Sequence, residues 1–149
     1  MAIAASVRPV AAMKVSPTTK AGLRVEVIAK RSLAVEGIMT ESGWVAYPLG
    51  GRIQLDLVDV RKRVIYEVKP GPLFHIVEST ATGLDQAERQ AALVGQLVRL
   101  ANPRTQDRMD LFRAVKVVWM SVAVSGKAGF GPKAAERLSS LGIEMKIIG

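Results

Sequence analysis

The chain has 149 residues, 49% of them hydrophobic and 23% charged, a balance that suits one globular domain and excludes a disordered one. It has no cysteine and one histidine, His75, which excludes thiolate zinc sites, cysteine nucleophiles, redox motifs and any mechanism needing two imidazoles in one chain. A formal net charge of +8 points to a polyanion met through phosphate contacts, or to an anionic membrane surface.

Residues 1–20 carry Pro9, Pro17 and a Ser-Pro-Thr-Thr cluster, and Arg8, Lys14 and Lys20 all precede the first acidic residue, Glu26. This predicts a flexible basic N-terminal arm over 1–20 and a single folded domain over 21–149. The apolar start lacks a basic leading region and is broken by Arg8-Pro9, so it makes a poor secretory signal. No apolar run approaches the ~18 residues of a membrane span, and no helix pairs a basic face with a clean apolar one. The expectation is a cytoplasmic site of action, with secreted delivery left open, and no membrane partner.

From Ala21 to about Met39 the pattern turns helical, with Leu23, Val27, Ala34 and Ile38 within about 60° of one another as the burial stripe. Gly43 is expected to stop this helix, and Trp44-Val45-Ala46-Tyr47 reads as a short strand. Residues 52–60 and 63–69 are rich in β-branched and aromatic residues around Arg61-Lys62, which predicts a hairpin. Arg-Lys lacks the Gly or Asn of the favoured tight turns, so a longer loop is open. Thr82 is the expected N-cap of a helix running to about Ala101, with Leu84, Ala87, Ala91, Val94 and Val98 as its buried stripe. Residues 114–124 are almost continuously apolar, as in a strand buried on both faces. Gly131-Pro132 opens a last helix, Gly142 closes it, and 143–148 alternates as a final strand. The predicted fold is α/β, a three-layer sandwich around one mixed sheet, in the order α-βββ-α-β followed by α-β.

On the hairpin, a turn at Arg61-Lys62 sets Val60 opposite Arg63 and, counting outward, Asp56 opposite Glu67. Side chains alternate along a strand, so Glu67 and Lys69 share a face and Asp56 joins them there. Two opposed carboxylates repel unless a cation lies between them, and oxygen donors of this kind suit Mg2+. Such a pair with a lysine alongside supplies what phosphodiester hydrolysis needs: a metal to polarise the phosphate and a fixed positive charge. Asp59 is a rival acid, but alternation sends it to the opposite face.

Asp56-Leu-Val, ten intervening residues from Asp56, then Glu67-Val68-Lys69 at the end of the next strand resembles the core of the PD-(D/E)XK nuclease superfamily. The stretch Tyr66-Glu-Val-Lys-Pro-Gly is also similar to the matching strand of restriction-endonuclease-fold toxins of bacterial competition systems. Leu55 stands where the family often has proline. The resemblance implies a restriction-endonuclease-like core and an Mg2+-dependent endonuclease acting on DNA, with Mn2+ as a substitute metal. Asp56, Glu67 and the Val68 carbonyl would be the metal ligands and Lys69 the catalytic lysine. Many members add a glutamate from the first helix, for which Glu26 is better placed than Glu36, and a glutamine from the helix after the hairpin, for which Gln90 is better placed than Gln86. A stand-alone resolvase of a phage or mobile element and a competition toxin with an immunity protein both fit, and a homodimer would let two sites cut both strands. The alternative is a non-catalytic nucleic-acid-binding or assembly module that keeps the fold.

Two other features have a bland and a functional reading. His75 is a loop residue within reach of phosphate, or only a loop residue. The Gly-rich stretch 127–133 leads into a helix N-terminus as a phosphate cradle would, yet lacks the Gly-Lys-Ser/Thr ending of a P-loop and reads better as a connection.

Overall fold

A computed structural model describes residues 17–46, 52–76, 85–101 and 110–149. The predicted arm falls mostly on residues 1–16, outside the described residues, but its last four residues are helical. The first helix, α1, spans Pro17–Val35. Pro17 opens it, where a missing N–H costs nothing. Gly37, not Gly43, ends it. Gly37 has φ +81°, its N–H reaches the Ala34 carbonyl at 2.9 Å, and Ile38 N–H reaches that of Leu33 at 2.9 Å. This is a Schellman cap, which only a residue at ease with positive φ completes cheaply.

Among the described residues seven strands follow: β1 (Glu41–Ala46), β2 (Arg52–Asp59), β3 (Val64–Pro70), β4 (Leu97–Ala101), β5 (Asp110–Arg113), β6 (Lys116–Val122) and β7 (Glu144–Ile148). They form one mixed sheet in the order β5-β4-β1-β2-β3-β6-β7. β6 runs parallel to both β3 and β7; the remaining pairs are antiparallel. Helices α2 (Gln86–Ala91) and α3 (Pro132–Ser140) complete the order. The α/β class and the mixed sheet between helices agree with the reading of the sequence.

The long helix expected over 82–101 is not there. Of the described residues in that stretch only Gln86–Ala91 is helical, capped by Asp85, whose carboxylate accepts the Glu88 N–H at 2.7 Å. Thr82, the expected cap, and Leu84 lie outside the described residues. Gly95 turns the chain with φ +82°, and Leu97, Val98, Arg99 and Leu100 then alternate exposed, buried, exposed, buried. That is the period of a strand, and β4 and β5 intervene between α2 and β6. Val94, placed on the helix stripe, is exposed at the turn.

Each face of the sheet has its own core. On one face Val25, Ala29 and Leu33 of α1 pack against Leu57, Tyr66, Val68, Val118 and Met120. The buried stripe of α1 is therefore not the one read from the sequence: Val27 is half exposed and Ala34 exposed, while Ile38 is partly buried and the side chain of Leu23 lies outside the described residues. The helix carries two apolar stripes, and the sheet covers the one at i, i+4, i+8 from Val25. On the other face Ala87 of α2 and Leu138 of α3 pack with Leu55, Val58, Ile65, Val117 and Trp119. Burying each of these large side chains contributes about 1.5–3 kcal/mol.

Candidate active site at a split in the sheet

The β2–β3 ladder pairs Leu57 with Tyr66, Val58 with Ile65 and Asp59 with Val64. This is the register anticipated from the sequence, although the loop is the longer one, with residues 60–63 turning the chain and Arg63 at φ +62°. Asp59 is buried, and its Oδ1 accepts the Lys62 N–H at 2.9 Å, so this acid serves the turn.

Beyond Leu57 and Tyr66 the two strands part. The first half of β2 pairs with β1, from Arg52 with Ala46 to Leu55 with Gly43. The second half of β3 stays on β6, from Glu67 with Trp119 to Pro70 with Val122. Between the β1 partners Glu41 and Gly43, β2 advances three residues, from Val58 to Leu55, against two on β1. This bulge breaks the alternation assumed from the sequence: Leu55 joins the same core as Val58 rather than that of Leu57. The bulge, not simple alternation, aims Asp56. Its Oδ2 accepts the Val68 N–H at 2.9 Å, across the mouth of the split.

Glu67 stands on β3 on the α2 face and is buried. Gln90 Nε2 donates to its Oε1 and Gln86 Nε2 to its Oε2, each at 2.8 Å. Lys69 Nζ lies 3.1 Å from Glu67 Oε2 and donates to Gln86 Oε1 at 2.7 Å. Trp119 Nε1 donates to Gln90 Oε1 at 2.9 Å, and Lys69 Nζ sits 5.1 Å from the centre of the Trp119 ring. Lysine and indole are donors only, so each glutamine must turn its oxygen to them and its amide to Glu67. Arg137 of α3 fixes α2 from outside, through Nε to Asp85 Oδ2 at 2.7 Å and Nη2 to Glu88 Oε1 at 2.8 Å.

Glu26 borders the buried stripe of α1, about 60° from its centre, and is partly buried. Burial, then the charge of Glu67, lifts its carboxyl from 4.5 to about 7. The Asp56 carboxyl is held well above the ordinary range by burial and by the charges of Glu67 and Glu26, against the opposing pull of the Val68 N–H and Lys69. Each raised acid feels the charge of Glu67, so the three carboxylates form one electrostatic group. No ion pair joins Glu26 to Lys30 among the described residues. Glu36, its competitor from the sequence, lies elsewhere and pairs with Lys146 Nζ at 2.6 Å.

Among the described residues no three Asp, Glu or His side chains form a ready-made metal cage. Mg2+ rarely uses one: it binds through one or two carboxylates, keeps waters and takes further oxygens from phosphate. An excess of carboxylate over the single lysine, with two acids raised first by burial and then by the charge of Glu67, fits a site that a divalent cation would complete.

The structure thus brings Glu67, Lys69, Gln90 and Gln86 into direct contact and sets Asp56 and Glu26 within their field. Gln86, a candidate beside Gln90 in the sequence, takes an equal part, since both bond Glu67. Trp119 was read only as part of an apolar strand, and the available signal was that a buried indole N–H needs a partner. His75 is exposed and bonds nothing among the described residues. The 127–133 stretch is a connection clamped to the segment after β3, with Leu73 N–H on Gly129 O at 2.9 Å and Gly131 N–H on Leu73 O at 2.8 Å. Comparison with family models, with curated proteins and with solved structures finds no match to this chain.

Proposed function

We propose that this chain is a divalent-metal-dependent endonuclease that hydrolyses phosphodiester bonds of DNA, built on a restriction-endonuclease-like core. The observation that carries the reading is the meeting of Asp56, Glu67 and Lys69 at the split between β2 and β3, with Glu26 reaching the same field from the helix on the other face. Asp56 and Glu67, with the Val68 carbonyl, would hold the cation, which supplies Lewis-acid polarisation of the scissile phosphate when bound. Lys69, anchored between Gln86 and Glu67, offers a fixed positive charge to orient the attacking water and to offset charge developing on the phosphate. Glu26, poised near neutrality, can hold or release a proton beside them. The net charge of +8 favours a nucleic-acid substrate.

Purified protein incubated with plasmid and branched DNA is expected to cleave with Mg2+ or Mn2+ and not with EDTA, and Lys69→Ala is expected to abolish cutting. Absence of metal-dependent cleavage of any DNA or RNA substrate by the wild type would sink the reading. One observation favours the alternative, a binding module that keeps the fold: both oxygens of Glu67 already accept hydrogen bonds from glutamine amides. Such a module would bind DNA equally well as wild type and as Asp56→Ala, and would cut nothing.

A further inference from the structure

We propose that Trp119 is the positioning residue of this site, holding Glu67 in its working orientation through Gln90; the assignment rests on the metal-dependent reading above. Trp119 is wholly buried on β6 and lies in register with Glu67 on the neighbouring strand, so the two side chains stand together on the α2 face. Gln90 is equally buried and bridges them from above, with its oxygen on the indole and its amide on the carboxylate. The indole has no acceptor. It therefore forbids the flipped Gln90, whose oxygen would face the Glu67 carboxylate.

An indole in an apolar strand could be satisfied by any nearby carbonyl; here its N–H goes to a side chain committed to Glu67. The ring makes a second contact, with Lys69 Nζ at 5.1 Å, inside the range of a cation–π interaction. One core residue thus touches both branches of the site, the acid through Gln90 and the lysine directly. Without the N–H, Gln90 Oε1 loses its donor, the amide can rotate, and Glu67 loses one of the two amides that fix its plane.

The test removes only the N–H. Trp119 is replaced site-specifically by β-(3-benzothienyl)alanine, which keeps the bicyclic ring with sulfur for N–H. Trp119→Phe is made in parallel, so that a folding failure in one leaves the other, and Gln90→Leu is made alone and combined with Trp119→Phe. Each protein is assayed for kcat and KM on DNA in Mg2+, and separately for Mg2+ affinity by titration calorimetry without DNA. Both Trp119 variants are expected to lower kcat by about 10- to 100-fold and to weaken Mg2+ binding to a similar degree, as for other partners that orient a metal ligand. KM for DNA should stay within about two-fold, and Trp119→Phe should add almost nothing in the Gln90→Leu background, the mark of residues acting as one unit. Wild-type cleavage with kcat and Mg2+ affinity unchanged in the variants, or losses that add in the double variant, would overturn the relay and leave the nuclease reading standing. A wild type that neither binds Mg2+ nor cuts any substrate would overturn that reading, and the relay with it.

Discussion

Asp56 and Val68 stand where β2 and β3 no longer pair, yet the Asp56 carboxylate accepts the Val68 N–H as a backbone carbonyl would in a continued ladder. The side chain closes a gap in the sheet while adding a negative charge beside Glu67 and Glu26. Structure and charge can therefore be separated by substitution. Asp56→Asn keeps an acceptor for Val68 and removes the charge, so it should fold at least as stably as wild type while losing cleavage. Asp56→Ala leaves the N–H without its partner and should cost about 1–3 kcal/mol in urea denaturation as well. Equal stability of the two variants would show that the bond to Val68 contributes nothing.

Asp59 is the control for that experiment. Its carboxylate bonds the turn at Lys62 and lies outside the site. Asp59→Ala should cost about 1 kcal/mol, the net worth of an ordinary hydrogen bond, with cleavage per folded molecule unchanged. A loss of kcat matching that of Asp56→Ala would reverse the assignment of the two acids.

Glu26 sets a pH dependence of stability with a definite sign. Its carboxyl titrates at 4.5 when the chain is unfolded and at about 7 in the fold, so between these values the folded state binds more protons. The contribution is fully present below 4.5 and is lost as pH rises through 7. Asp56, also raised, acts in the same direction. In EDTA the wild type should be more stable at pH ~5 than at pH ~8, and Glu26→Gln should shrink that difference. An identical pH profile for the variant would remove Glu26 from the carboxylate group.

Arg137 and Asp85 hold α2, and α2 carries Gln86 and Gln90. Asp85→Ala removes both the N-cap and a partner of Arg137, and loss of the cap alone costs about 1 kcal/mol. Because α2 is short, the loss should appear as faster amide exchange at residues 88–91 and as reduced cleavage, with the sheet still protected. Unchanged exchange there would mean that packing of Ala87, not the cap, holds the helix.

Most of the site was legible because the hairpin register depends on a short turn and on side-chain period, both local properties. Asp59 could be set aside on the same ground. The bulge at Asp56–Leu57 was not legible, since no glycine marks it on β2 and it exists only in relation to β1. The choice of stripe on α1 was illegible for a similar reason: two apolar stripes compete on the helix, and the sheet decides between them. The α2–β4 segment reads as one helix because Ala87, Ala91 and Val94 suit a helix, but Val98 and Leu100 suit a strand, and Gly95 divides the two. Trp119 needed the fold outright, because its partner is 29 residues away in the chain.

The split also divides the sheet into two leaves. β5-β4-β1-β2 form one leaf and β3-β6-β7 the other, and among the described residues the ladder that joins the leaves is the three pairs nearest the hairpin loop. Asp56 belongs to the first leaf; Glu67, Lys69 and Trp119 belong to the second. The two principal acids thus stand on opposite sides of the split, and anything that grips both at once staples the leaves together.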